Sequence, residues 1–162
     1  MTMEIIYTPW RYRYVSNVDN KGDGCVFCEK AAASDDRASL ILKRGEHCFV
    51  ILNLYPYTSG HLMVAPYKHT PTIEDISEEG RSEMMALVVE SMGAIREAFG
   101  PEGFNVGINM SRVAGAGIKD HVHTHVVPRW AGDSNFMPIT ADTRVLPCDL
   151  ESVYDSLLEK FQ

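Results

Sequence analysis

Three histidines stand at every second position in His121-Val122-His123-Thr124-His125, followed by Val126-Val127-Pro128-Arg129-Trp130. Side chains alternate across an extended chain, so the three imidazoles share one face, with neighbours about 7 Å apart at their Cα atoms. A neutral imidazole nitrogen is both a nucleophile and a metal ligand, and two on one face can meet one phosphorus centre or one ion together. Half of the chain's six histidines fall within these five residues, which argues against incidental polar positions on a solvated strand.

Two further stretches carry chemistry. In Cys25-Val26-Phe27-Cys28 a pair of thiolates supplies half of a tetrahedral zinc site and needs two more nitrogen or sulfur donors. A thioredoxin-like redox reading wants a strand just upstream, which Lys21-Gly22-Asp23-Gly24 does not provide. Two ordinary thiols are the remaining alternative. The loop Ser111 to Ile118 is rich in small residues, and its glycines allow backbone N–H groups to approach a phosphate closely. Such a loop is often only a tight turn; its place just before three histidines gives it weight.

The elements that must position these residues follow from hydrophobic pattern. Ser39 to Lys43 and Cys48 to Leu54 read as a hairpin across Arg44-Gly45-Glu46-His47, and Leu62-Met63-Val64-Ala65 as a third strand of an antiparallel meander. Asp75-Ile76-Ser77-Glu78 has capping-box form and opens a long helix to Phe99, with Met85, Val88, Met92, Ile95 and Phe99 as its core stripe. Phe104 to Met110 is the next strand, and it carries Asn105 and Asn109. Beyond Trp130, Thr143 to Leu146 is a candidate strand and Asp149 to Phe161 a closing helix. Trp10, Tyr12 and Tyr14, interleaved with Arg11 and Arg13, mark an extended N-terminal segment.

Composition sets the outer bounds. The 162 residues fit one domain with extensions, and 45% apolar with 23% charged residues is ordinary for a globular chain. A net charge of −7 argues against a protein whose main partner is the nucleic-acid backbone, while a small phosphate ligand remains compatible. No apolar window is long enough for a membrane span, and Met1 to Trp10 lacks the features of a signal peptide. The expected location is cytoplasmic, where paired thiols serve metal or redox roles rather than a disulfide framework.

The triad ending in Val126-Val127, the Cys25 and Cys28 pair, the Asn53 and Gly60-His61 region and the Asn109 to Gly117 loop together resemble the histidine triad family of nucleotide hydrolases and transferases. Pro128-Arg129-Trp130 with Gly132 to Phe136 is most similar to the branch holding bacterial diadenosine tetraphosphate phosphorylases. The resemblance implies an α+β fold, an antiparallel sheet on one long helix, and a homodimer. Residues 1–24 would be an N-terminal extension, 25–130 the family domain, and 131–162 a C-terminal extension packing on the domain or the dimer partner.

It also implies roles. His123 is the expected nucleophile on an α-phosphorus, forming a covalent nucleotidyl intermediate, and His125 the residue that assists the leaving group. Asn53 is expected at the ribose, and Asn109, Gly115, Ala116, Gly117 and Ile118 at the phosphates. Cys25, Cys28, His69 and His121 form the expected structural zinc site, closed by four ligands. The implied substrate is a nucleotide, a dinucleoside polyphosphate of the diadenosine tetraphosphate kind. A nucleoside phosphoramidase and a catalytically weak nucleotide-binding module are the alternatives. Several family members carry Gln or Ser in the loop before the triad; Gly115-Ala116-Gly117-Ile118 lacks that side-chain donor, leaving water or phosphate open as the second acceptor.

Overall fold

A computed structural model describes residues 24–133 and 148–161. The expected strand at 143–146 and the N-terminal aromatic segment lie outside these residues. Five strands form one antiparallel sheet: β1 (Ile41–Arg44), β2 (Cys48–Leu52), β3 (Leu62–Pro66), β4 (Gly103–Ile108) and β5 (Thr124–Arg129). Their spatial order is β1-β2-β3-β5-β4, so the expected meander holds through β3 and β5 then inserts between β3 and β4. The fold is α+β, with a long helix on one face of the sheet.

That helix, α3 (Glu78–Phe99), follows two short helices, α1 (Val26–Ala32) and α2 (Asp36–Ser39). Its N-cap is Ser77, whose hydroxyl accepts from the Gly80 N–H, while Asp75 accepts from the Thr70 hydroxyl instead. The cap therefore sits two residues later than the Asp75-x-x-Glu78 pattern implied. Its buried stripe is Met84, Leu87, Val88, Ser91, Ala94 and Ile95, whereas Met85 is 59% exposed. The doublets Met84-Met85 and Val88-Val89 make both rotations apolar, and the sheet selects the first: the Thr124 hydroxyl lies 3.3 Å from the Met84 sulfur. Gly100 ends the helix in the left-handed conformation (φ 57°).

The alternation of β2, β3 and β5 divides the core. Cys48, Val50, Leu52, Leu62, Val64 and Val126 face α3, together with Val153, Tyr154 and Leu157 of the last helix, α4 (Leu150–Leu158). Phe49, Ile51, Met63 and Ala65 face the other way and close a smaller cluster under Phe27 of α1. Removing these apolar side chains from water is the driving term for the fold. The side that carries Phe27 also carries the histidines.

Candidate active site

β5 begins at Thr124, because its partners Val64 of β3 and Ile108 of β4 both pair with that residue and go no further toward His121. His121 and His123 thus precede the ladder. Extension is kept by the Val122 N–H, which donates to the Thr70 carbonyl at 2.7 Å. The alternation survives: Val122 enters the α3-side core, while His121 (0% exposed) and His123 (3%) turn to the Phe27 side.

His121 presents its imidazole to Cys25, Cys28 and His69. The donor atoms of these four residues lie within 4.8 Å of one another. Cys25 Sγ is 3.3 Å and Cys28 Sγ 3.6 Å from His121 Nδ1, and Cys28 Sγ is 3.5 Å from His69 Nδ1. Bonds of about 2.0 to 2.3 Å in a zinc tetrahedron place neighbouring ligand atoms about 3.3 to 3.8 Å apart, so these three contacts have the spacing of ligands around one ion. The tautomer fits too. His121 Nε2 donates to the Pro66 carbonyl at 2.8 Å, leaving the Nδ1 lone pair for the metal. Burial and the neighbouring Cys25 push the Cys28 thiol up, as expected of two clustered thiols whose ionised forms want a cation.

His123 is held by three neighbours. Its Nδ1–H donates to the His121 carbonyl at 2.8 Å, which leaves Nε2 with a lone pair. Its ring lies 4.8 Å from Phe27 and 4.8 Å, edge-on, from His125. Burial lowers it from the ordinary histidine value, with the carbonyl contact opposing that shift, which favours the neutral ring.

His125 is oriented by His61, a residue for which the sequence names no partner. Fully buried, His61 places Nε2 2.9 Å from His125 Nδ1. The direction of that bond follows from the other ring nitrogen. The Tyr57 N–H donates to His61 Nδ1 at 3.1 Å, while Asn53 Nδ2 lies about equally far from both ring nitrogens, 3.3 Å from Nδ1 and 3.4 Å from Nε2. Asn53 is turned that way because its carbonyl accepts from the Tyr55 N–H at 3.0 Å. With Nδ1 an acceptor, the neutral His61 ring carries its proton on Nε2 and donates to His125 Nδ1. His125 therefore carries its own proton on Nε2, as a hydrogen-bond donor. Nothing in the local sequence reveals this, because the pairing of Leu62 with Val126 that brings the two together is long-range.

An open groove of about 390 Å³ runs outward from His125 between β4 and the Tyr57–Thr58 turn. The register sets its floor: Asn105 pairs with Val127 and Gly107 with His125, so Asn105 and Gly107 share the histidine face. Arg129, at its far end, gives Nε and Nη2 to Asp133 (2.6 and 2.9 Å) and Nη1 to Asn105 (2.7 Å). Its charge is already paired. In the loop, Gly115 (φ 89°) and Ala116 donate their N–H groups to Arg112 and Ser111 carbonyls, closing a turn. The Gly117 and Ile118 N–H groups have no partner among the described residues.

A neutral imidazole with a free lone pair beside a second one aimed as a donor is an arrangement suited to group transfer at phosphorus. The comparisons agree. A family model described as the HIT domain matches residues 35–132. An AP-4-A phosphorylase of Mycobacterium tuberculosis is 37% identical over 152 residues, covering 90% of this chain and 77% of the relative. An adenosine 5'-monophosphoramidase of Schizosaccharomyces pombe is 30% identical over 105 residues, covering 65% and 74%. Among solved structures, a Zn-bound histidine triad family protein from Mycobacterium smegmatis is 30% identical with a TM-score of 0.67, covering 85% of this chain and 93% of that one. The chain belongs to the HIT family and is an enzyme of its nucleotide hydrolase and transferase class.

Proposed function

We propose that the protein cleaves a dinucleoside polyphosphate at its α-phosphorus through a covalent nucleotidyl-His123 intermediate. The observation that carries this is the hydrogen-bond pattern of the two rings, His123 Nδ1 on the His121 carbonyl and His125 Nδ1 on His61 Nε2, which assigns a lone pair to His123 Nε2 and a proton to His125 Nε2. His123 Nε2 forms the N–P bond as the bond from phosphorus to the bridging oxygen breaks, and His125 donates its hydrogen bond to the departing oxygen. The Gly117 and Ile118 N–H groups, with Asn109 at the mouth of the loop, are suited to the growing negative charge; Gly115 and Ala116 shape the turn that presents them. Asn53 keeps one amide N–H and one carbonyl lone pair for a ribose hydroxyl. In the second step phosphate or water takes the nucleotidyl group from His123. The M. tuberculosis relative supports phosphate as the acceptor.

The test is product analysis on diadenosine tetraphosphate with and without inorganic phosphate. ADP and ATP formed only with phosphate establish phosphorolysis; AMP and ATP in both cases establish hydrolysis. His123→Ala is expected to abolish turnover and the acid-labile, alkali-stable labelling by radioactive substrate that an N–P bond gives, and wild-type rates in that variant overturn the nucleophile. A phosphoramidase reading draws on the S. pombe relative, and cleavage of an adenosine phosphoramidate in preference to the tetraphosphate selects it.

Zinc at Cys25, Cys28, His69 and His121 is proposed as structural, since four protein ligands leave no open position. Cys25→Ala is expected to lower metal content from stoichiometric to near zero by elemental analysis. The free state of Cys25, Cys28, Cys48 and Cys148 accords with a reducing, cytoplasmic setting. A homodimer through the β4 edge is also proposed: Val106 (43% exposed) projects to the α3 side of β4, where Met85 (59%) and Val89 (62%) stand uncovered.

A further inference from the structure

Phe27 sits between the two cysteines of the metal quartet, and its ring does not face the metal alone. Being 1% exposed, it contacts the His121 ring at 5.1 Å and the His123 ring at 4.8 Å, tilted by 51° and 45°. Its far side rests on Phe49 of β2 at 6.4 Å. The ring is thus wedged between the sheet and the two histidines. Its backbone lies in the first turn of α1, whose N-cap, Cys25, makes no side-chain capping bond and keeps its sulfur for the metal site.

We propose that Phe27 is a positioning residue for the nucleophile, coupling the metal quartet to the orientation of the His123 ring. The inference rests on the nucleophilic role proposed above for His123. One hydrogen bond, from His123 Nδ1 to the His121 carbonyl, leaves the ring free to swing about its χ angles; a flat apolar wall removes that freedom. Phe27 supplies the wall on one side and His125 a contact on another. Cys25 and Cys28 flank the wall, so that when they hold the metal both ends of the segment bearing Phe27 are fixed. A seven-residue helix has little stability of its own, and α1 keeps its place through such tertiary ties. Lys30, which donates to the Ser39 carbonyl, and Arg44, which donates to the Ala31 carbonyl, tie its distal end; the end bearing Phe27 is held by its packing in the cluster with Phe49 and by the quartet.

The experiment uses full-length, zinc-loaded protein and the variants Phe27→Leu and Phe27→Ala, with three readouts: metal content, the ¹⁵N side-chain spectrum of His123 and steady-state kinetics. Both variants are expected to retain stoichiometric zinc. Wild-type His123 should show a single tautomer protonated on Nδ1. In Phe27→Ala this signal should give way to a tautomer mixture or broaden by exchange, and wild-type protein stripped of metal should show the same change. With diadenosine tetraphosphate, kcat should fall about 10- to 100-fold with KM within about twofold, and Phe27→Leu should lie between. An unchanged His123 spectrum in either folded, zinc-loaded variant overturns the proposal; so does loss of zinc from both, which would assign Phe27 to the metal site alone. Should Phe27→Ala not fold, Phe27→Leu, which keeps most of the volume and lacks the ring, decides. Absence of turnover in wild type would sink the functional reading, while the spectra would still decide the part played by Phe27.

Discussion

His61 offers no surface to the groove, yet it decides which nitrogen of His125 can donate. The Tyr57 N–H donates to its Nδ1, the Asn53 amide lies beside both ring nitrogens, and the ring stacks on Tyr57 at 4.7 Å. Replacing it with Gln keeps a polar side chain in the cavity but loses the ring geometry that aims Nε2–H at His125. His61→Gln is therefore expected to lower kcat about 10- to 100-fold with little change in KM, as for other buried groups that orient a working imidazole. A His125 spectrum retaining its Nε2–H tautomer, with kcat unchanged, would show that the ring needs no such support. The triad itself was legible in sequence because its spacing is local. His61 was not, since its partner is 64 residues away and only the β3–β5 register joins them.

At the scale of elements, the hairpin between β1 and β2 is fixed to α3 by one carboxylate. Glu83 accepts the backbone N–H groups of Glu46, His47 and Cys48 at 2.7, 2.6 and 2.8 Å. Gly45 leaves room for it: a Cβ there would collide with the Glu83 carboxylate. Burial pushes the Glu83 carboxyl up, and the three N–H donors more than offset this, so it lies below the ordinary 4.5. A lowered carboxylate pKa means that the unfolded chain binds more protons than the native one as acid is added. The contribution is thus fully present above pH 4.5 and is lost as pH falls through the lower native value. Glu83→Gln is expected to cost about 1.5 to 3 kcal/mol at pH 7 by urea unfolding. That gap should close below pH 4.5; a constant gap would detach it from the charge. The hairpin was readable from its two β-rich runs and the Arg44-Gly45-Glu46-His47 turn between them, and α3 from its helical spacing. The helix α1 was not, because seven residues carry too few turns for a period, and its cap is a metal-type ligand rather than a Ser or Asp.

Across the whole molecule, α4 lies outside the residues matched by the family model, yet Val153, Tyr154 and Leu157 complete the α3-side core. The Tyr154 hydroxyl donates to the Ile41 carbonyl at 2.8 Å and so covers the β1 end of the sheet. The opposite end has no such cover among the described residues. There β4 is an edge strand with only β5 beside it. Phe104, Val106 and Ile108 alternate onto the α3 side, as their pairing with Pro128, Val126 and Thr124 dictates. Arg96 lies over the Phe104 ring at 5.0 Å, which places this flank of α3 against β4; Met85 and Val89 lie at helical spacing further along it. An uncovered edge strand beside an apolar helix flank is the arrangement that a second copy can satisfy by pairing edge to edge, burying both patches about a twofold axis. Charge placed there should prevent it. The proposed homodimer predicts that wild type sediments as a dimer and that the double variant Val89→Asp, Val106→Asp sediments as a monomer at the same concentration. Neither residue faces the histidines, so its zinc content should be unchanged. A wild-type chain that sediments as a monomer, or a double variant that still dimerises, would show that this flank is not the interface.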